Sequence, residues 1–401
     1  MAKVVTSIDL GSAYIRIGVL EHHYKEDIFE IRALIKSPSE GLKNGHVVNK
    51  EALARAIGTA VSEAERVAGF RIKKCYLSIG GVGLSTIIDN TTLAISRADN
   101  IISDYDIERA VSESEERINE KPNIRILHTI PSEFKIDGKR IMGRPEGYFG
   151  NRLELRTLFI VVASVHADTA VSAVESNGIE VTEIFASPLA ESVVTLNPTQ
   201  RNAGAIVANV GAETLSLITH EDGLPTSLKV YPIGSADITN DIALGLKVTL
   251  EQAEQIKLSP PIDKKAGKRI QEIVEARTSD MLELIDTHLR KIGRSNLLPA
   301  GIVFTGEGAN TEGLVESAKK QLGLPARITV NKLPNLLTTL SGEKATLRMQ
   351  ERIAKAGNPE WSTIIGLWMI GAGSEIEESL GVQVARRTKS GLMKFFKQFL
   401  P

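Results

Sequence analysis

Cysteine is almost absent: Cys75 is the only one among 401 residues. A single thiol builds no disulfide framework, zinc finger or iron–sulfur cluster, and it fits a reducing compartment. A surplus of either charge is lacking too, since 48 basic residues stand against 49 acidic ones, a net charge of −1. No global field draws in nucleic acid, and none is expected as a partner. Long apolar runs are also missing. A spanning helix needs about 20 apolar residues, whereas the longest uncharged runs, Cys75–Ile88 and Trp361–Ser374, stop at 14. The N-terminal MAKVVTSIDLGSAY has no leader with a cleavage site and reads directly into a strand, so a cytoplasmic location is expected. The sequence carries no Walker lysine motif, which argues against a P-loop site.

What is present belongs to a folded chain. It is 42% hydrophobic and 24% charged, enough for a sizeable core, and its length predicts two or three domains. Lys3–Asp9 and Tyr14–Leu20 read as two strands joined by a tight turn at Leu10–Ala13. Apolar residues at helical spacing predict a helix over Lys50–Ala68, closed by Gly69, and a strand follows at Lys74–Ile79. Leu84–Ile160 differs in texture: strands at Thr86–Ile95, Arg125–Pro131 and Leu153–Val162 surround one helix after Ser103, with a hairpin signal at Lys135–Lys139. This stretch reads as a small α+β module inserted in a larger fold. Alternation then resumes with helices at Asp168–Asn177 and Pro188–Leu196 around a strand at Ile179–Ile184. A strand pair follows at Ala203–Asn209 and Thr214–Thr219, then helices at Asp237–Leu244, Leu250–Leu258 and Lys264–Ile292, and a strand at Gly301–Thr305.

The layout holds an internal repeat. SIDLGSAYIRIGV (7–19) and ANVGAETLSLIT (208–219) share a β run, an Asp or Asn, a glycine turn and a second β run. Two similar half-domains facing each other across a cleft are therefore expected. Turns of small residues let backbone N–H groups approach phosphate oxygens, and a strand-end carboxylate such as Asp9 holds Mg²⁺ through its water shell. Candidate turns are Asp9–Tyr14, Asn209–Thr214 and Thr305–Asn310, the last able to lie against a purine. Ordinary hairpin turns would use the same residues, so their order and spacing carry more than any one of them.

In that order the chain resembles the actin/Hsp70/sugar-kinase superfold of ATP-binding proteins, and within it the FtsA family of bacterial cell-division proteins. GSADITNDIALGLKVTLEQAEQIK (234–257) resembles the family's most recognisable stretch, and 126–138 with 143–155 resembles its inserted 1C subdomain. The resemblance implies an α/β, actin-like two-lobed fold with that insertion and a C-terminal amphipathic helix. It divides the chain into a 1A-like part (1–84, 163–192 and 343–375), a 1C-like part (85–162), a 2A-like part (193–246 and 301–342), a 2B-like part (247–300) and a linker with a membrane-targeting helix (376–401). ATP and Mg²⁺ are the implied cofactors. Gly11, Ser12, Ala13 and Tyr14 fall on the first phosphate turn, Gly211, Ala212, Glu213 and Thr214 on the second, and Gly306, Gly308 and Asn310 on the adenosine turn. Asp9 and Asn209 take the catalytic positions, with Asp9 holding the metal through water. Gly234 falls near the nucleotide, and Glu254 and Lys257 near its sugar and base, although a solvated helical ion pair has the same spacing. The implied function is to tether FtsZ filaments to the cytoplasmic face of the membrane at the division site and to self-polymerise, with other division proteins as possible partners. A PilM-like pilus adaptor is the alternative within the superfold. A small-molecule kinase would need a buried acidic base in the cleft, for which the sequence offers no candidate.

Three departures from the family pattern oppose tight binding and hydrolysis. Asn209 lacks a carboxylate, Glu213 sets a negative charge where phosphates would lie unless it turns away, and Tyr14 stands where lysine is common. The C-terminal residues carry the opposite kind of signal. No acid follows Glu378, whereas Arg386, Arg387, Lys389, Lys394 and Lys397 are basic. Leu392, Phe395, Phe396 and Phe399 form one helical stripe, edged by Met393 and Leu400. Such a helix lies in an anionic membrane interface; docking on the protein's own core would use the same stripe. The seven histidines show no metal-ligand spacing, and Cys75 reads as a small buried hydrophobe.

Overall fold

The computed structural model describes residues 2–23, 28–96, 98–141, 143–259, 264–331 and 347–379. The chain opens with a meander, β1 (Ala2–Leu10), β2 (Tyr14–His23) and β3 (Ile28–Pro38), followed by the short ribbon β4 (Leu42–Lys43) and β5 (His46–Val47). Helix α1 (Lys50–Ala68) begins where the Asn49 side chain accepts a hydrogen bond from Ala52 N. It stops at Gly69, whose φ of 87° is left-handed and costs glycine nothing. After β6 (Lys74–Ile79) comes the insertion: β7 (Ser85–Ala94), α2 (Asp104–Asn119), β8 (Ile124–Ile136), β9 (Lys139–Ile141) and β10 (Arg152–Ala163). Then follow α3 (Ser164–Glu175), β11 (Glu180–Ala186), α4 (Ser187–Thr195) and α5 (Pro198–Ala203). The second half holds β12 (Ala205–Val210), β13 (Leu215–Glu221), β14 (Leu224–Tyr231), α6 (Ser235–Leu246), α7 (Leu250–Leu258) and α8 (Lys264–Lys291). It closes with β15 (Ile302–Thr305), a 3-10 turn at Glu307–Asn310, α9 (Leu314–Leu322), β16 (Ala326–Ile328), α10 (Leu347–Ala356) and α11 (Ser362–Ser379).

Two five-stranded sheets share one plan. Their orders are β3-β2-β1-β6-β11 and β14-β13-β12-β15-β16. In each, the opening strand sits at the centre, with two antiparallel strands on one side and two parallel strands on the other. The repeat thus extends from the hairpins to whole sheets, and the registers correspond: Asp9 pairs with Arg16 and Ser78, Asn209 with Ser216 and Thr305. The insertion is a separate sheet of order β7-β10-β8-β9; Leu93, Ile107, Val111, Phe134 and Leu153 form its own core, while Leu127, Ile130, Leu158 and Ile160 join the main core.

The first sheet is covered on both faces, which explains what periodicity missed. Ala33 and Ile35 of β3 join the core under α1, while Phe29, Ile31 and Leu34 join the core under α11. A bulge between Val19 and Leu20 of β2 leaves Arg32 unpaired and shifts the inward phase, so β3 shows no clean alternation. The Ile364–Ile370 stretch of α11 is apolar on all sides because it is enclosed by the sheet and α4. Gly366 allows that approach: a Cβ there would stand 1.9 Å from Ala190 O. Boundaries also moved. Ala203 ends α5 and is not in a strand, α3 starts at Ser164, ahead of Asp168, and β14 was not anticipated. Among the described residues no helix is long and apolar enough to cross a membrane. The terminal stripe from Leu392 to Leu400 lies outside the described residues.

Candidate functional site between the two sheets

Each central strand ends in the same turn. Gly11 N donates to Tyr14 O at 3.2 Å, and Gly211 N donates to Thr214 O at 2.9 Å. The third turn reaches them through Gly306, whose φ is 83° and whose added Cβ would stand 2.2 Å from Asn209 Oδ1. All three line one cavity, along with Gly80 and Gly81 of the glycine run after β6. Gly81 lies against Gly45, where an added Cβ on either would meet the other's backbone within 3 Å. That glycine run therefore packs loops and opens no dinucleotide helix.

Of the expected site residues, Asp9, Gly11, Ser12, Ala13, Tyr14, Asn209, Gly211, Ala212, Glu213, Thr214 and Gly306 line the cavity. Gly234, Gly308, Asn310, Glu254 and Lys257 are not in its lining. Gly234 starts α6 beneath the second turn; a Cβ there would stand 2.3 Å from Ala212 O. Ser235 N and Ala236 N donate to Gly211 O and Ala212 O, both at 2.8 Å, hooking the helix to the turn. Gly308 presses on Val210, and Asn310 is exposed. Glu254 and Lys257 pair at 2.7 Å and fasten α7 to α6 through Thr239, which donates to Glu254 at 2.6 Å and accepts from Lys257 at 2.9 Å.

The electrostatics differ from the sequence expectation in three places. Glu213 lines the cavity, but its carboxylate is held by Asn44 N, from which it accepts at 2.5 Å. Tyr14 does not leave the turn without a cation: Lys36 Nζ is 4.2 Å from its ring centroid and the Arg16 guanidinium 5.9 Å. Asn209 Nδ2 donates at 2.5 Å to Glu191 Oε1, which also accepts from Thr363 Oγ1 at 2.8 Å. Glu191 is therefore a buried acid in the cleft, which corrects the expectation of none, and its Oε2 has no partner among the described residues. Burial pushes its carboxyl up to about 8, against those two hydrogen bonds. Burial also raises Asp9, against the opposing pull of Arg16 and of Ser78, which donates to it at 2.6 Å.

Sequence reasoning missed Glu191, Arg16, Lys36, Glu307, Glu360 and Thr363. Two signals were available: Arg16 is a lone charge inside the buried strand of the first repeat, and Glu307 sits between the two glycines of the third turn. Glu191 gave none, because only the fold brings α4 against Asn209. Two histidines hold structural positions. His128 is buried and accepts from Ala186 N at 2.9 Å, and His22 stacks on Phe29. Glu21, His23 and Glu30 are close enough to hold a metal ion, but Arg32 already lies 3.4 Å from Glu21 and 3.1 Å from Glu30. Cys75 is buried, and its thiol is pushed up to about 12 by burial and Glu175.

Comparison with known proteins decides between superfold members. Residues 206–366 match the family described as cell division protein FtsA, and residues 83–161 match the SHS2 domain inserted in it. The chain belongs to the FtsA family. FtsA of Pseudomonas aeruginosa is 28% identical over 92% of this chain and 89% of its own length. FtsA of Bacillus subtilis is 28% identical over 81% of this chain and 78% of its own. Solved structures share the fold at lower identity. The PilM–PilN type IV pilus biogenesis complex has a TM-score of 0.65 at 17% identity, covering 92% of this chain and 98% of that one. MreB5 of Spiroplasma citri bound to AMPPNP has 0.50 at 11%, covering 95% and 99%. These likenesses show the actin-like fold, and the SHS2 insertion marks the FtsA family within it.

Proposed function

We propose that this FtsA-family protein binds ATP between its two sheets and tethers FtsZ filaments to the cytoplasmic face of the membrane at the division site. The observation that carries the nucleotide reading is the pair of equivalent glycine turns, 11–14 and 211–214, lining one polar cavity. Their small side chains bring backbone N–H groups close to phosphate oxygens. Asp9 would hold Mg²⁺ through water, and that ion would screen the polyphosphate charge. Gly306 would lie against the adenosine, with Gly308 and Asn310 shaping that turn and Gly234, Glu254 and Lys257 bracing the second one. Hydrolysis would be slow: Asn209 has no charge with which to orient water, and burial holds the neighbouring Glu191 protonated near neutral pH.

The five-part division given by the family resemblance assigns the remaining roles. The insertion at 85–162 would contribute to self-assembly, the 247–300 region would face FtsZ, and the helix within 376–401 would lie in anionic lipid. Titration calorimetry with ATP tests the site: wild-type protein should bind, and Gly11→Val, whose Cβ would stand 2.7 Å from Tyr14 O, should not. Absence of ATP binding by the wild type would overturn the nucleotide reading.

A further inference from the structure

Register places Ser78, Asp9, Arg16 and Lys36 in one row across four neighbouring strands of the first sheet. The equivalent row of the second sheet, Thr305, Asn209, Ser216 and Val230, carries no charge. Two cations directly opposite each other on antiparallel strands repel, so Arg16 and Lys36 require anions. Glu307 and Glu360 supply them: Arg16 contacts Glu307 at 3.1 Å and Glu360 at 3.5 Å, while Lys36 contacts Glu360 at 2.8 Å and also bonds to Glu307. Glu307 belongs to the third turn of the second sheet, so the cluster ties the two halves together beside the phosphate turns. Arg16 lines the cavity, and its Nη1 lies 3.5 Å from where a Cβ on Gly11 would stand. It is more than nine-tenths buried, and its Nε has no partner among the described residues.

We propose that Arg16 is a phosphate subsite whose strength Glu307 and Glu360 restrain: the terminal phosphates of a bound nucleoside polyphosphate compete with these two acids for Arg16, while Lys36, which is not in the cavity lining, holds both acids. The proposal rests on the nucleotide reading above. It deepens it by assigning affinity to Arg16, Lys36 and Glu360 outside the three turns and to Glu307 within the third. Burial pushes the Glu360 carboxyl up, yet Lys36 and Arg16 hold it below the usual range. Removing an acid frees cation for phosphate, whereas removing a cation leaves acid facing it. The two changes therefore act in opposite directions, and the effect scales with the number of phosphates.

The test is titration calorimetry of the full chain with ATP, ADP, AMP and inorganic tripolyphosphate, for wild type, Glu307→Gln and Lys36→Met. Glu307→Gln should tighten ATP about tenfold, the effect of one partly screened charge pair. It should tighten ADP less and leave AMP unchanged, and Lys36→Met should weaken ATP by a similar factor. Glu360→Gln serves as a second acid variant should Glu307→Gln fail to fold. Shifts of the same sign in both variants, equal shifts for ATP and AMP, or no shift at all would overturn the proposal. If no nucleotide binds but tripolyphosphate does, more tightly to Glu307→Gln, the subsite stands and the nucleotide reading falls. Loss of tripolyphosphate discrimination as well would sink both.

Discussion

Glu191→Gln isolates the buried acid of the cleft. In the unfolded chain this carboxyl titrates near its ordinary value of 4.5, and in the folded protein at about 8. The folded state thus binds the proton more tightly. The stability this group contributes is fully present below pH 4.5 and is lost as pH rises towards 8. Each pH unit is worth about 1.4 kcal/mol, so by pH 7 the loss is about 3 kcal/mol. Glutamine keeps the acceptor used by Thr363 and Asn209 but places an N–H₂ where Oε2 has no partner, costing about 1 kcal/mol. The variant should therefore be about 2 kcal/mol more stable than wild type at pH 7, with the difference vanishing near pH 5. Urea unfolding midpoints at pH 5, 7 and 8.5 read this directly. Phosphate release from ATP should rise in the wild type as pH passes through 8, when the carboxylate becomes available as a base, and the variant should lack that rise. A variant less stable than wild type at pH 7, or a difference independent of pH, would refute the reasoning.

Other perturbations probe the packing, the tail and the insertion. Gly366→Ala forces α4 and α11 apart, because its Cβ would stand 1.9 Å from Ala190 O; a loss of about 3 kcal/mol is expected in urea unfolding, and wild-type stability would contradict the close approach. Removing residues 386–401, or combining Phe395→Asp with Phe396→Asp, should abolish pelleting with anionic liposomes while leaving the unfolding transition unchanged. Excising the insertion between Leu84 and Val161 also removes Leu127, Ile130, Leu158 and Ile160 from the main core, so the remaining protein should be less stable yet bind ATP and form no filaments on lipid, as seen by electron microscopy; normal filaments would assign the insertion to other partners.

The sequence made legible what repeats locally. The two hairpins, the turn glycines, α1 with its Gly69 end, and the inserted module all follow from short-range patterns of turn residues and periodicity. It hid what depends on enclosure. β3 and α11 are buried on opposite faces at once, so the alternation and amphipathicity that betray half-exposed elements are absent. The site divides the same way. Residues on the turns could be named from spacing, whereas Glu191, Lys36 and Glu360 come from elements distant in sequence and meet the turns only through sheet register and the α4–α11 crossing. Charge was the least legible property. Glu213 was expected to repel phosphate, yet a backbone amide from the 44–45 turn captures it, and the cation missing at Tyr14 arrives from neighbouring strands.

The most direct measurement is recruitment of FtsZ to lipid. Purified FtsZ, anionic liposomes and ATP are mixed with the full chain or with a chain ending before residue 386, and the vesicles are pelleted. An adaptor that tethers FtsZ brings it into the pellet with the full chain and leaves it in solution with the shortened one. FtsZ that stays in the supernatant while the full chain itself coats the vesicles would contradict the tethering role.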